Sequence, residues 1–198
     1  MKLSKGWIIL IVIIGVILLL VAWAVGINNN LVTKEEGVNS QWANVENVYQ
    51  RRLDLIPNLV NTVKGVADFE KQTLTDVIEA RAKATSVQIN PKNLDEGSIQ
   101  RFQEAQNGVS AALGRLMVVV ERYPELKATQ NFSELQAQLE GTENRISVER
   151  KKFNETAQAY NTYVRRFPNV IFAGMFGFEQ KAYFKSAEGA EKAPEVKF

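Results

Sequence analysis

The chain has 198 residues, 45% of them apolar and 23% charged, with 24 Lys and Arg against 22 Asp and Glu. The resulting net charge of +2 excludes a strong field that would draw the whole molecule onto nucleic acid. Without cysteine there is no disulfide scaffold, thiol nucleophile or thiolate metal site, and without histidine the commonest acid/base group near neutral pH is missing.

Residues 1–5 carry Lys2 and Lys5, and residues 6–27 form an uncharged run rich in Ile, Val and Leu. At 1.5 Å per residue the run reaches ~33 Å, enough for a hydrocarbon core of ~30 Å. Trp7 and Trp23 lie near its ends, where amphipathic rings favour the membrane interfaces. A cleaved signal peptide is the competing reading, because Ala22-Trp23-Ala24 has a small-x-small form. The apolar run is long for a signal core and continues past that site through Val25 and Ile27, which favours a retained span. Lys2, Lys5 and the amino group outweigh Lys34, so the positive-inside rule puts the amino terminus in the cytoplasm. The remainder then lies on the periplasmic or extracellular side of the inner (plasma) membrane.

A first long helix is expected over Leu31–Lys64, following the stripe Val38, Trp42, Val45, Tyr49, Arg52, Ile56, Leu59, Val63 and Val66 at alternating spacings of four and three. Arg52 is the one charge in it. Pro57 lacks an N–H and kinks the helix, or else restarts it from a first-turn position. A second helix runs over 69–86 with Asp68 as its cap, and a third from Phe102 to Tyr123, closed by Pro124. A fourth begins near Phe132 with Ser133 as cap, ends at Phe167-Pro168, and carries the stripe Leu135, Leu139, Thr142, Ile146, Glu149, Phe153, Thr156, Tyr160, Tyr163 and Phe167.

The expected fold is therefore all-α: an amino-terminal transmembrane helix, then an antiparallel bundle of two long and two shorter helices over 28–184, and a polar tail over 185–198. The shorter helices cover only the membrane-distal part of the long ones. Val38, Trp42 and Val45 then face Phe153, Tyr160 and Phe167 in a two-helix stalk, which predicts lateral association of copies into a homo-oligomer. Packing within the monomer is the alternative. Arg52 needs a partner on the fourth helix, Glu149 by preference and Glu143 otherwise, unless it snorkels from a half-exposed seam. After Pro168 the chain returns to the bilayer face, where Phe172, Met175, Phe176 and Phe178 could insert in the interface or fold back onto the bundle.

These residues resemble the LemA family of membrane-anchored bacterial proteins. The resemblance is carried by the span followed by Trp42, Tyr49-Gln50-Arg51-Arg52, 54–60, Glu70, Ala80-Arg81, Glu121, 123–128, Thr142-Glu143-Asn144, Arg150, Phe153-Asn154, Tyr160-Asn161, Phe167-Pro168 and Phe176-Gly177-Phe178. Phe69 departs from the pattern, standing where many members have histidine. The resemblance implies a helical bundle outside the cytoplasm on one anchor, with a scaffold role or a role accessory to membrane proteases or magnetosome formation. It implies no established activity. Asp54, Glu70 and Glu143 are the candidate carboxylates for an enzyme, but no nucleophile elbow, phosphate loop or metal-ligand cluster accompanies them. The sequence thus predicts no catalysis and no cofactor. Its predicted partners are the lipid bilayer, further copies of the chain and membrane proteins including a protease, with no nucleic acid.

Overall fold

The computed structural model describes residues 5–65 and 70–185, and Val66 at the end of the first stripe, the expected cap Asp68, the departure at Phe69, Lys2 and nearly all of the polar tail lie outside them. The described residues form six helices and no strand: α1 (Lys5–Lys64), α2 (Lys71–Ser86), α3 (Glu96–Val120), α4 (Pro124–Lys127), α5 (Gln130–Arg165) and α6 (Asn169–Phe176). The apolar run and the first expected helix are one helix of 60 residues, roughly 90 Å long. Nothing between Ile27 and Leu31 breaks it, and Asn30 and Thr33 turn their side chains back onto the carbonyls of Gly26 and Asn29. α1 is the one described helix long and apolar enough to cross a membrane. The side chains of that stretch, Trp7 through Val25, are largely exposed.

Local chemistry moves two expected starts. α3 begins at Glu96 rather than Phe102, because the Asp95 carboxylate accepts from Ser98 N at 2.8 Å and makes Asp95 the cap. That carboxyl is held below its ordinary value, chiefly by the Ser98 backbone hydrogen bond. α5 starts at Gln130 with Thr129, not Ser133, accepting from Phe132 N. α3 ends at Val120, short of the expected Tyr123, and Pro124 opens the one-turn α4.

α1 and α5 share the most extensive helix contact, and α2 packs chiefly on α3. α1 and α5 run antiparallel, since Gln41 meets Glu149 while Arg52, further along α1, meets Glu143. Two apolar clusters result. The distal one joins Leu53, Ile56, Leu59 and Val63 of α1 to α2, the second half of α3 and the first half of α5. The proximal one joins Ile27 through Tyr49 to Leu94, Ile99, Phe102, the second half of α5, Ala173 and Phe184.

The proximal cluster corrects the stalk expectation. Val38, Trp42, Val45, Phe153 and Tyr160 are fully buried within one chain, and Phe167 is 82% exposed. The stripe is closed by the early start of α3, by the 87–95 connection and by residues 178–184, none of which the two-helix stalk allowed for. It is not left open for a neighbouring copy.

Candidate functional site

Between the clusters lies a polar layer built by three helices. Arg52 on α1, Gln106 on α3 and Thr142 on α5 are all buried, and in each helix the apolar neighbours on either side belong to different clusters. A guanidinium there needs hydrogen bonds as well as countercharge. Arg52 Nη1 donates to Ser110 Oγ at 2.8 Å and Glu143 Oε2 at 2.9 Å. Nη2 donates to Gln106 Oε1 at 2.7 Å and its carbonyl at 3.1 Å. The Tyr49 ring lies 5.1 Å from the guanidinium carbon, and Nε has no partner among the described residues.

Of the two expected partners, Glu143 makes this contact and the preferred Glu149 does not. Glu149 accepts from Gln41 and Lys152, which hold its carboxyl below the ordinary range. Similar positions within the two stripes do not put residues at the same height. With Glu149 opposite Gln41, Arg52 lies eleven residues further along α1, ~16 Å away along the axis. Nor does Arg52 snorkel, being 2% exposed.

Pro57 lies inside α1, which continues through it to Lys64, so the helix neither stops nor restarts there. Its missing N–H leaves the Leu53 carbonyl without a helical donor. Arg81 Nε of α2 supplies one at 2.9 Å.

A third arrangement was not anticipated: a strap over 178–185, turned out of α6 by Gly177 at φ 77°. Asn161 donates to the Lys181 carbonyl and accepts from its N–H, at 2.7 and 2.8 Å. Asn154, seven residues earlier on α5, does the same to Phe184 at 2.9 Å in both directions. Tyr160 donates to the Glu179 carbonyl, and the buried Lys181 ammonium reaches Glu35 at 2.7 Å. Burial pushes the Tyr160 hydroxyl pKa well up, with Glu35 and Glu179 adding to the shift. Phe184 stacks on Trp42 and meets Phe102 and Phe153 edge-on. The signal was visible as the doubled aromatic-Asn pairs Phe153-Asn154 and Tyr160-Asn161 at a two-turn spacing on one helix face.

At the proximal end α6 lies against the last turns of the apolar run. Trp23 and Phe172 meet edge-on at 5.7 Å, and Ala173 is buried. Of the four residues expected at a membrane interface, Phe172 and Phe178 pack partly on the bundle, while Met175 is 72% and Phe176 46% exposed. Phe167 and Ile171 are exposed as well. The three candidate carboxylates have separate partners: Asp54 accepts from Gln50, Glu70 from Arg122 and Glu143 from Arg52. Among the described residues no three acids converge as metal ligands would.

The chain is similar over 174 residues to magnetosome protein MamQ 2 of Paramagnetospirillum magneticum, at 27% identity. It has the same identity over 173 residues to magnetosome protein MamQ of Magnetospirillum gryphiswaldense. Both matches take in 79% of this chain, which spans 64% of the length of those relatives. Protein LemA of Metamycoplasma hominis is 20% identical over 164 residues, covering 83% of this chain and 71% of that one. The family model described as LemA matches residues 41–198, which include the Arg52 layer, Pro57, both asparagines and the strap, and the chain belongs to the LemA family.

Proposed function

We propose that this chain is a single-pass, membrane-anchored helical scaffold of the cell envelope, without catalytic activity, that self-associates and organises membrane or partner proteins. Residues 6–27 span the inner membrane, residues 1–5 face the cytoplasm, and 28–184 form an antiparallel helical bundle outside it. The observation that carries this reading is the unbroken α1, which makes the span and the spine of both apolar clusters one rigid element. A rod of this kind transmits position rather than chemistry. With the proximal stripe closed from within, association of copies falls to the span and to exposed apolar residues of the head such as Val118 and Val148.

A second reading, action at the membrane surface through α6, is favoured by the packing of Phe172 on Trp23, which holds exposed Phe167, Ile171 and Met175 beside the end of the span. The relatives named for the magnetosome suit either reading, and a membrane protease is a further partner the scaffold admits.

Because the chain has no cysteine, Ser4→Cys and Ser40→Cys give single thiols on either side of the span. On intact spheroplasts an impermeant maleimide labels Cys at 40 and reaches Cys at 4 only after lysis; the reverse pattern refutes the orientation. Mass measurement of the full chain in lipid nanodiscs and in detergent tests self-association, and a monomer at every concentration removes it.

A further inference from the structure

The depth of α6 fixes where the lipid headgroups fall. Trp23 contacts α6 within the apolar run, which ends at Ile27. The headgroup layer adds ~5–8 Å on each side of the hydrocarbon. From Ile27 to Leu31 α1 rises ~6 Å, and to Lys34 ~10 Å. Lys34 lies farther from the bilayer than Tyr163 of α5, since Gly37 sits beside Thr156, and its side chain reaches down to put Nζ 5.4 Å from the ring centre. Arg166, just past the carboxyl end of α5 and three residues beyond Tyr163, is nearer the bilayer. A side chain on α1 leans toward the helix amino terminus, here toward the membrane.

Lys34, Tyr163 and Arg166 line one open cleft of about 340 Å³, with Thr162 and Gln158. Among the described residues neither Lys34 nor Arg166 has an ion pair, and their acidic neighbours are engaged elsewhere. Glu35 holds Lys181 and Glu36 accepts from Asn39. Glu155, eleven residues before Arg166, also lines the cleft and lies 3.9 Å from Lys151. Two cations that make no ion pair among the described residues thus share a cleft near the point where α1 leaves the apolar run, and the exposed apolar side chains Phe167, Ile171 and Met175 follow Arg166 in the chain.

We propose that Lys34 and Arg166 bind the phosphate of an anionic phospholipid in the leaflet where α1 leaves the bilayer, with its acyl chains against α6. This rests on the membrane-surface reading of α6. A zwitterionic lipid fits less well, because its own ammonium would share the cleft with both cations, whereas a phosphodiester with a neutral head leaves its charge for them.

The test uses the full chain in phosphatidylcholine nanodiscs holding a minority of phosphatidylglycerol, with native mass spectrometry counting the lipids that stay bound after release. The wild type retains phosphatidylglycerol above its share. Lys34→Ala with Arg166→Ala lowers that enrichment about twentyfold, while Lys34→Arg with Arg166→Lys keeps it. Equal enrichment in the wild type and the alanine pair, or none in either, overturns the site. So does displacement of the lipid by millimolar inorganic phosphate as readily as by short-chain phosphatidylglycerol, which would mean a plain anion site. A spin label on Met175→Cys separates the two readings: a label in water removes the surface role of α6 and this site with it. A label at the interface without lipid enrichment removes this site alone.

Discussion

Arg81 donates from Nε to the Leu53 carbonyl, the acceptor that Pro57 leaves without a helical N–H. One residue of α2 thereby completes the hydrogen bonding of α1 and docks the two helices at a fixed register. A proline deep in a 60-residue helix is destabilising by itself, so its presence here makes sense as the opening that admits Arg81.

This relationship gives a double-mutant cycle. Arg81→Met leaves the half-buried carbonyl unpaired and costs about 1–3 kcal/mol, read from thermal or urea unfolding. Pro57→Ala restores a helical donor, so Arg81→Met costs much less in that background. Equal costs in the two backgrounds would show that the bond does not serve Pro57.

The polar layer predicts a different pattern. Arg52→Met and Glu143→Gln each destabilise, and together they fall short of the sum by 1 kcal/mol or more, on the order seen for contacting charges. Arg52→Met and Glu149→Gln add to within about 0.5 kcal/mol, because Glu149 is engaged with Gln41 and Lys152. Coupling to Glu149 in place of Glu143 would contradict the register of α1 against α5.

Much of this was legible in the sequence because periodicity reports which face is buried. The stripes identified Trp42, Tyr49, Phe153 and Tyr160 as buried aromatics but not Phe132, and also gave the charge that needed a partner and the two long helices. Height is another matter. Spacing fixes a residue's face but not its level against another helix, so Glu149 looked a better partner than Glu143. Non-helical cover left only the indirect sign of the two aromatic-Asn pairs: the strap carries no period, Phe184 reaches the core on backbone hydrogen bonds with Asn154 and Asn161, and the Leu94 carbonyl accepts from Ala182 N–H. Without that cover the proximal stripe looked open.

Glu46 predicts a pH dependence. Partial burial raises its carboxyl pKa, and the Trp42 indole, whose Nε1 falls outside hydrogen-bond geometry, opposes this only in part. A folded pKa above the unfolded one means that the ionised form is penalised on folding. The stability that protonation supports is present below the unfolded pKa and is lost as pH rises through the folded one. Glu46→Gln is therefore more stable than the wild type at neutral pH, and the two converge below about pH 4. A gain that persists unchanged in acid would trace to something other than ionisation.

The strap predicts how far the proximal cluster depends on residues beyond α6. Phe184 is buried against three aromatic rings, so Phe184→Ala costs about 3–5 kcal/mol. Asn161→Leu keeps the volume but strands the Lys181 backbone N–H and carbonyl in a buried setting, a loss of about 1–3 kcal/mol. The two changes share one segment. If the strap lifts as a unit, the second costs little once the first has been made, and Trp42 emission shifts to the red in either variant because its stacked ring has left. If instead both costs add in full and Trp42 emission stays put, each contact acts locally and the strap is not a cooperative cover. In the first outcome the uncovered face is the stripe Val38, Trp42, Val45, Phe153 and Tyr160, and the variants then gain the tendency to pair through that face which the closed chain lacks.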